Sequence, residues 1–490
     1  MFYDKEGEKM LPEELIRLIK DIKSTASEDN RIELKKAEGG CPKLYDTLSS
    51  FSNQHGGGII VFGIDQDNDF DLCGVYDADD LQKKIASMCR QMTPIVRPVC
   101  TAASIDGRTF VSAEIHEIEI TDKPCYYTGA GIRRGSYIRV GDSDEHMTEY
   151  EIYSFEAFRK KLQDELRTEQ RADISDIQTL SFEKYMLNIR EKKPVQANFS
   201  IEKILKLQGF TDNNKPTLAG IMMFAEYPQA FFPQLCITAV SIPGYEIGDP
   251  GEYSQRFNDN ERIEGTIPQM LDEALSFIKR NMRVRTIVNP MTGKREDMTE
   301  YPVIALREIL LNALIHRDYS IHTELTPITI RIFTDRIEVE NPGGLYGRIT
   351  IDDLGKSIAD TRNPFIAKAM EITGEAENRF SGIPIIRRSM QDNKLPPPVF
   401  ENYRGVFKVT LYNHMSEEQQ PMNALEERIL DFCKEWRSRA ELRERFEQFT
   451  ASYLMSYHVN PLVREGKLEL LYPQTPKSKN QKYRAIIRRP

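Results

Sequence analysis

The stretch Glu308-Ile-Leu-Leu-Asn312-Ala-Leu-Ile-His316-Arg-Asp-Tyr319 constrains the fold more than any other part of the chain, because it sets polar side chains into an otherwise apolar helix. At about 100° per residue, Glu308, Asn312 and His316 share one narrow sector, while Val303, Leu306, Ile309, Leu310, Ala313 and Leu314 fill the opposite arc. A carboxylate, an amide and an imidazole beside a buried face are costly unless something pairs with them, and a metal-bound nucleotide would do so. The alternative is a stripe of internally satisfied groups capping an interior.

At 490 residues the chain is too long for one core and implies about two to four domains. It contains no apolar run of roughly 18 residues, so no membrane span is expected. The charged segment Met1 to Lys9 has no apolar core of a signal peptide, which makes the cytoplasm the simplest setting. Seven cysteines without a C-x-x-C pair read as reduced packing residues, against a zinc site or a disulfide framework. A net charge of -9 disfavours coating of nucleic acid by the whole molecule, so basic surfaces must be sought locally.

An N-terminal helix within 1–24, with helical spacing from Leu11 to Lys23, precedes a small α/β domain spanning 25–152. Arg31 to Lys36 reads as a strand. A helix follows up to Asn53, Gly56-Gly-Gly58 breaks it, and Ile59-Ile-Val-Phe-Gly-Ile64 reads as a buried strand ending at Asp65. Residues 153–178 read as a charged helical connector. A large α/β unit covers 179–415, with apolar strands expected at Gly220 to Phe224 and Cys236 to Ser241 and a subdivision near Pro290. The remainder, 421–490, has the helices and basic hairpin of a winged helix.

Hydrolysis of a nucleotide by a positioned water needs a general base, a group to hold Mg²⁺, and a loop around phosphate. Glu308 and Asn312, one turn apart, offer the first two. Downstream, Ile328 to Phe333 and Arg336 to Glu340 read as paired strands ending in Asn341-Pro-Gly-Gly-Leu345, where glycine permits close approach of a ligand. Thr361-Arg-Asn-Pro-Phe365 and Phe380-Ser-Gly-Ile383 follow. Gly355-Lys-Ser357 is not a P-loop, since Thr350 stands where a Walker A motif needs its first glycine. His316 and His322 lack a third metal ligand, which leaves His316 an orienting hydrogen-bond partner.

The order of these motifs resembles the Bergerat-fold ATPases, the gyrase, histidine kinase and mismatch-repair group, in the divergent branch found with a Schlafen-type N-terminal domain. The resemblance implies ATP and Mg²⁺ as cofactors, Glu308 as the base that activates water, and Asn312 as the Mg²⁺ ligand. It also implies that Asn341, Gly343 and Gly344 line the adenine side, and that Ser381 and Gly382 belong to a phosphate lid; the helical stripe itself puts His316 in the same pocket. The ATP-binding domain would lie at about 290–415. Asn341 stands in place of the usual aspartate and Phe380 in place of a lid glycine, so slow turnover is expected. Dimerisation on ATP implies a homo-oligomer, at least a dimer.

In the N-terminal domain, Glu28, Glu33 and Asp65, with Lys35, bring acids toward strand ends, where a divalent metal for phosphodiester cleavage could be held. Glu28-x4-Glu33-Leu-Lys35, a helix, Gly56 to Asp65 and Tyr137-Ile-Arg139-Val-Gly141 together resemble the AlbA-like domain of the Schlafen family. Some members are nucleases using two Glu and one Asp; others bind nucleic acid only. Lys35, Arg133, Arg134 and Arg139 are candidate phosphate contacts, as are Lys477, Lys479 and Lys482 of the C-terminal hairpin.

The expected protein is therefore an α/β multidomain chain: an AlbA-like domain, a Bergerat-type α/β sandwich and a winged helix. Its expected role is an ATP-responsive, nucleic-acid-binding switch in transcription. The alternative is a metal-dependent Schlafen-type nuclease acting on tRNA or DNA in anti-phage defence.

Overall fold

The computed structural model describes residues 10–25, 30–249, 255–288, 295–356, 360–376, 382–413, 428–446, 454–464, 466–473 and 481–486. The chain forms two compact units, Met1–Phe155 with Ser416–Pro490, and Glu156–Met415. Both mix helices with sheets, so the protein is an α/β multidomain chain. Among the described residues no helix is long and apolar enough to cross a membrane.

In the first unit, α1 (Pro12–Thr25) precedes β1 (Ile32–Lys35), which lies parallel to β2 (Gly58–Phe62). The crossover that parallel pairing requires is supplied by α2 (Tyr45–Asn53). After α3 (Ala78–Cys89), β3 (Val99–Ile105) and β4 (Arg108–Ile115) complete a sheet of order β1-β2-β4-β3. Leu15, Ile19 and Ile22 of α1 pack with Ile59 and Val61, while Leu48 and Phe51 of α2 pack with Ile60 and Phe62. Helices on both faces explain why every residue of β2 is buried and why it reads as an unbroken apolar run. That run does not continue to Asp65 as one strand. Gly63, at φ +103°, turns the chain, and Ile64 and Asp65 pair with Leu72 and Asp71 instead. A hairpin of β5 (Tyr137–Val140) and β6 (Ser143–His146) then sets Arg139 opposite Asp144.

The second unit is built on a six-stranded sheet. Its strands are β7 (Ile237–Ser241), β8 (Asp259–Ile263), β9 (Ile328–Ile332), β10 (Arg336–Pro342), β11 (Val399–Tyr403) and β12 (Val406–Tyr412), in the order β8-β7-β9-β10-β12-β11. Within this sheet only β7 and β9 are parallel. Helices α4 (Ile267–Asn281) and α5 (Val303–His316) pack in one core with these strands. A capping box of Thr266 and Gln269 starts α4. Helix α6 (Pro364–Thr373) ends on the left-handed Gly374, and α7 spans Gly382–Asp392.

Two segments differ from expectation. Gly220 to Phe224 belongs to a helix, Leu218–Phe224, capped by the Thr217 hydroxyl, which accepts from Gly220 N at 3.2 Å. All seven of its residues are buried, and an apolar run of that length does not distinguish a strand from a buried helix. The charged connector is not one continuous helix: Glu149–Lys160 is helical, a short 3-10 turn follows at Asp164–Leu166, and a separate helical turn, Ile174–Ile177, starts from a capping box of Asp173 and Asp176. It is not a fully solvated rod, because Glu165 is completely buried.

The C-terminal segment comprises β13 (Arg437–Ser438), α8 (Arg439–Arg445), a helical stretch over Leu454–Val459 and Asn460–Arg464, β14 (Leu468–Leu470) and β15 (Lys482–Ala485). Its strands form a sheet of order β13-β15-β14 over a core that includes Cys433, Leu442, Phe446 and Tyr483. All seven cysteines are free thiols. Burial raises Cys89 to about 12 and Cys125 and Cys433 to about 11, so these three sit as protonated packing groups.

Candidate functional site

Helix α5 carries Glu308, Asn312 and His316 to one wall of a cavity of about 250 Å³. The sheet contributes Val339, Asn341, Phe407 and Val409, and the turn after β10 contributes Gly343, Gly344, Leu345 and Tyr346. Most of the remaining wall is aliphatic, including Ile309, Ile349, Leu354, Ile383 and Ile386. Such a cleft, apolar with a few convergent polar groups, has the make-up of a small-molecule site.

Gly382, the first residue of α7, abuts the two principal polar groups. A Cβ built there would lie 3.0 Å from Glu308 Oε2 and 3.1 Å from Asn312 Nδ2. A side chain there would have to push these two groups back by a few tenths of an ångström, and the start of α7 turns its positive end toward the carboxylate. Ser381 and Phe380 lie outside the described residues.

His316, at the end of α5, exposes its ring into the cavity while the surrounding protein encloses it. Burial, with the Arg362 guanidinium adding to it, pushes the imidazole down to about 4, so it is neutral at physiological pH. Asn341 is only 5% exposed, and its Oδ1 has no hydrogen-bond partner among the described residues. A buried acceptor without a partner is unusual in a settled interior, and Asn341 as a residue lines the cavity.

Three residues not given a role in the sequence hold this arrangement. Asp318 and Arg362 pair beneath Gly343, whose φ of +105° leaves no room for a side chain: a Cβ would meet Asp318 Cβ at 2.6 Å. Arg362 Nη2 donates to Gly344 O at 3.1 Å, and Asp318 N donates to Pro342 O at 3.0 Å. Asn363 Nδ2 donates to the carbonyls of Ile315 and Arg317, at 2.8 and 2.7 Å, satisfying the open end of α5. Gly355, although part of no P-loop, also lines the cavity. Ser357 is outside the described residues.

The N-terminal candidates are arranged differently. Glu33 Oε1 lies 2.6 Å from Lys35 Nζ on the same strand, and Glu33 Oε2 lies 2.9 Å from Arg139 Nη2. Arg139 also reaches Asp144 at 3.0 Å, which accepts from Thr47 and Ser50 at 2.7 and 2.6 Å. With its side chain 2% exposed, Arg139 is an internal tie and is not available to phosphate, a correction to its reading as a surface contact. Asp65 pairs with Lys36 at 2.7 Å, which holds its carboxyl below the usual range. Glu28 lies outside the described residues, and among those described no group of three or more His, Cys, Asp or Glu is placed to hold a metal ion. Arg133, Arg134 and Lys482 are exposed; Lys477 and Lys479 lie outside the described residues.

Residues 326–411 match the family described as putative ATP-dependent DNA helicase recG C-terminal, HATPase_c_4, and residues 28–148 match Schlafen, AlbA_2. The chain carries both domains. The HATPase_c_4 region is of ATPase type, which implies nucleotide binding. Its match begins after α5, so Glu308, Asn312 and His316 precede it in sequence and line the same cavity as Asn341, Gly343 and Gly344. A crystal structure of the DIP2311 protein from Corynebacterium diphtheriae is similar at 19% identity over 93% of each chain, with a TM-score of 0.40. The solution structure of the N-terminal domain of a putative ATP-dependent DNA helicase RecG-related protein from Nitrosomonas europaea is similar at 27% identity. It covers 27% of this chain and 93% of its own, with a TM-score of 0.22. No curated protein matches.

Proposed function

We propose that this protein is an ATP-binding, nucleic-acid-binding switch, a transcriptional regulator with slow ATP hydrolysis. The observation that carries the reading is the convergence of Glu308, Asn312 and the unpartnered Asn341 on one cavity within a HATPase_c_4-bearing unit. On this reading Asn341 meets the base, and the Gly343-Gly344 turn lets backbone approach the ligand. Asn312 would hold Mg²⁺, and Glu308 would take the proton of an attacking water. Mg²⁺, when bound, neutralises phosphate charge. Neutral His316 offers a hydrogen bond without adding charge. Asn341 lacks the charge of an aspartate, which supports a switch more than a motor.

Residues 25–152 are then the nucleic-acid domain, about 290–415 the ATP domain, and 421–490 a winged helix. Arg133, Arg134 and Lys482 supply exposed phosphate contacts, and ATP promotes a homo-oligomer, at least a dimer. The Schlafen and helicase-related families of the matched regions support a nucleic-acid partner. Metal-dependent cleavage by the N-terminal domain is less favoured, since Glu33 is engaged by Lys35 and Arg139.

Binding and turnover of Mg-ATP test the site. Asn312→Ala is expected to abolish binding, and Glu308→Ala to keep binding and lose hydrolysis. Tight Mg-ATP binding by the Asn312 variant would overturn the assignment. Incubation with tRNA, single-stranded DNA and duplex DNA plus Mg²⁺ or Mn²⁺, with and without ATP, is expected to give salt-dependent binding without cleavage. Cleavage of any of them would favour the nuclease.

A further inference from the structure

At one end of the first unit's sheet, the starts of β1 and β2 and the end of β4 meet around the turn that joins α2 to β2. Arg31 precedes β1, Gln54 to Gly57 form the turn, and Glu117 follows β4. The turn is tied to the strand beside it. Gln54 Nε2 donates to Asn30 O at 3.3 Å and to Gly57 O at 2.8 Å, and Ile59 N donates to Arg31 O at 2.8 Å. Glu117 fixes the other side: its Oε2 accepts from Gly56 N at 2.8 Å and lies 3.1 Å from His55 Nδ1, while its Oε1 lies 2.6 Å from Lys123 Nζ.

Two side chains at this turn keep unused donors. A Cβ built on Gly56 would stand 2.7, 2.8 and 3.0 Å from Nη2, Cζ and Nη1 of Arg31. Similar distances to the central carbon and to both terminal nitrogens mean that the planar guanidinium lies face-on to the glycine, which leaves its N–H edges clear of it. Arg31 is half-buried, yet among the described residues nothing accepts from its guanidinium. Polar groups withdrawn from water normally have a partner. His55 is exposed, and with Nδ1–H directed at Glu117 its Nε2 is the outward nitrogen, a donor in the imidazolium form. Lys123 matches the charge of Glu117, so the positive charge of Arg31 is not cancelled at the turn.

A planar fork of N–H groups beside a second donor suits the clustered oxygens of a phosphate group. We propose that Arg31 and His55 form a phosphate subsite of the first unit, the guanidinium edge and His55 Nε2 sharing the oxygens of one phosphate group. The subsite deepens the nucleic-acid reading above and rests on it for a backbone phosphate as occupant; it owes nothing to the cavity of the second unit.

The test uses the full-length protein and single-stranded DNA oligonucleotides with and without a terminal phosphate, titrated over a series of salt concentrations. Arg31→Met, which keeps the stem and removes the fork, is expected to weaken binding and to lower the slope of log K against log salt by about 0.7. His55→Ala is expected to weaken binding by about threefold to tenfold. Equal effects on both oligonucleotides would assign the subsite to the backbone, and an effect confined to the phosphorylated one would assign it to a terminal phosphate. Wild-type affinity and slope in either variant would overturn the proposal. If neither oligonucleotide binds the wild-type protein, the nucleic-acid reading falls and thermal unfolding in inorganic phosphate decides the subsite. Relative to chloride at equal ionic strength, phosphate is then expected to raise the wild-type midpoint more than that of Arg31→Met; equal shifts would overturn the subsite as well.

Discussion

Asp318 and Arg362 form an ion pair beneath Gly343 with only 4% and 6% of their side chains exposed. The same guanidinium lies 5.0 Å from the centre of the Tyr346 ring, and Asp318 accepts from Ser320 N at 2.8 Å. Removing one member of such a pair strands the other charge in a low-dielectric interior. Arg362→Ala is therefore expected to destabilise the second unit by about 3–5 kcal/mol and to weaken nucleotide binding. Thermal unfolding with and without Mg-ATP measures both effects; an unchanged midpoint would show that the pair does not clamp the turn.

Gly382→Ala separates chemistry from folding. Alanine is the better helix former, so the melting temperature is expected to hold or rise slightly. Its methyl would crowd Glu308 Oε2 and Asn312 Nδ2, however, and must displace one of them. Turnover of ATP is expected to fall by at least about tenfold, since small misplacements of catalytic groups are costly. Wild-type turnover in this variant would mean that Glu308 and Asn312 do not work in the place they occupy here.

Part of this site was legible in the sequence and part was not. The Glu308, Asn312 and His316 stripe follows from helical periodicity, and Asn341 with Gly343 follows from a strand running into a glycine turn; both are local signals. Asp318, Arg362 and Asn363 carry no local signal, because their roles arise only when the chain returns to the end of α5. The same limit misled the reading of Arg139. A short strand near the domain's end suggested a surface arginine, but its partners Glu33 and Asp144 draw it inward. Gly220 to Phe224 failed for another reason: a run of uniform hydrophobicity has no period to read.

Glu165 predicts a pH dependence. Burial raises its carboxyl to about 7, although backbone N–H groups of Phe365 and Ile366, donating at 2.9 and 2.8 Å, pull the other way. The folded value lies above the ordinary 4.5, so the folded state binds the extra proton between these limits. Stability from this group falls as pH rises from about 4.5 to about 7, by on the order of 3 kcal/mol. His316 has the opposite sign, since its folded value of about 4 lies below 6.5; stability falls as pH drops through that window. Glu165→Gln is expected to remove the first contribution, so that denaturant midpoints rise more steeply between pH 5 and 7, a range set by these two groups. A slope identical to wild type would contradict the assignment.

In the N-terminal domain, Arg139→Ala is expected to destabilise the fold by several kcal/mol, as buried ion-pair losses do. Arg133→Ala and Arg134→Ala are expected to leave stability within about 0.5 kcal/mol and to reduce the salt dependence of nucleic-acid binding, by about one unit of slope for each phosphate no longer neutralised. Equal salt slopes for the wild-type and double-variant proteins would exclude this surface from binding.

The carboxylate that caps α6 comes from a residue two hundred positions earlier in the chain. Anyone excising the ATPase portion at the apparent junction near residue 179 would discard it, together with the Arg167 carbonyl that accepts from Leu218 N at 2.8 Å. Such a fragment would expose two amide groups at the start of the helix whose Ala367 lines the cavity, and its weak nucleotide affinity would be mistaken for a property of the intact protein. The practical boundary lies upstream, ahead of Glu156.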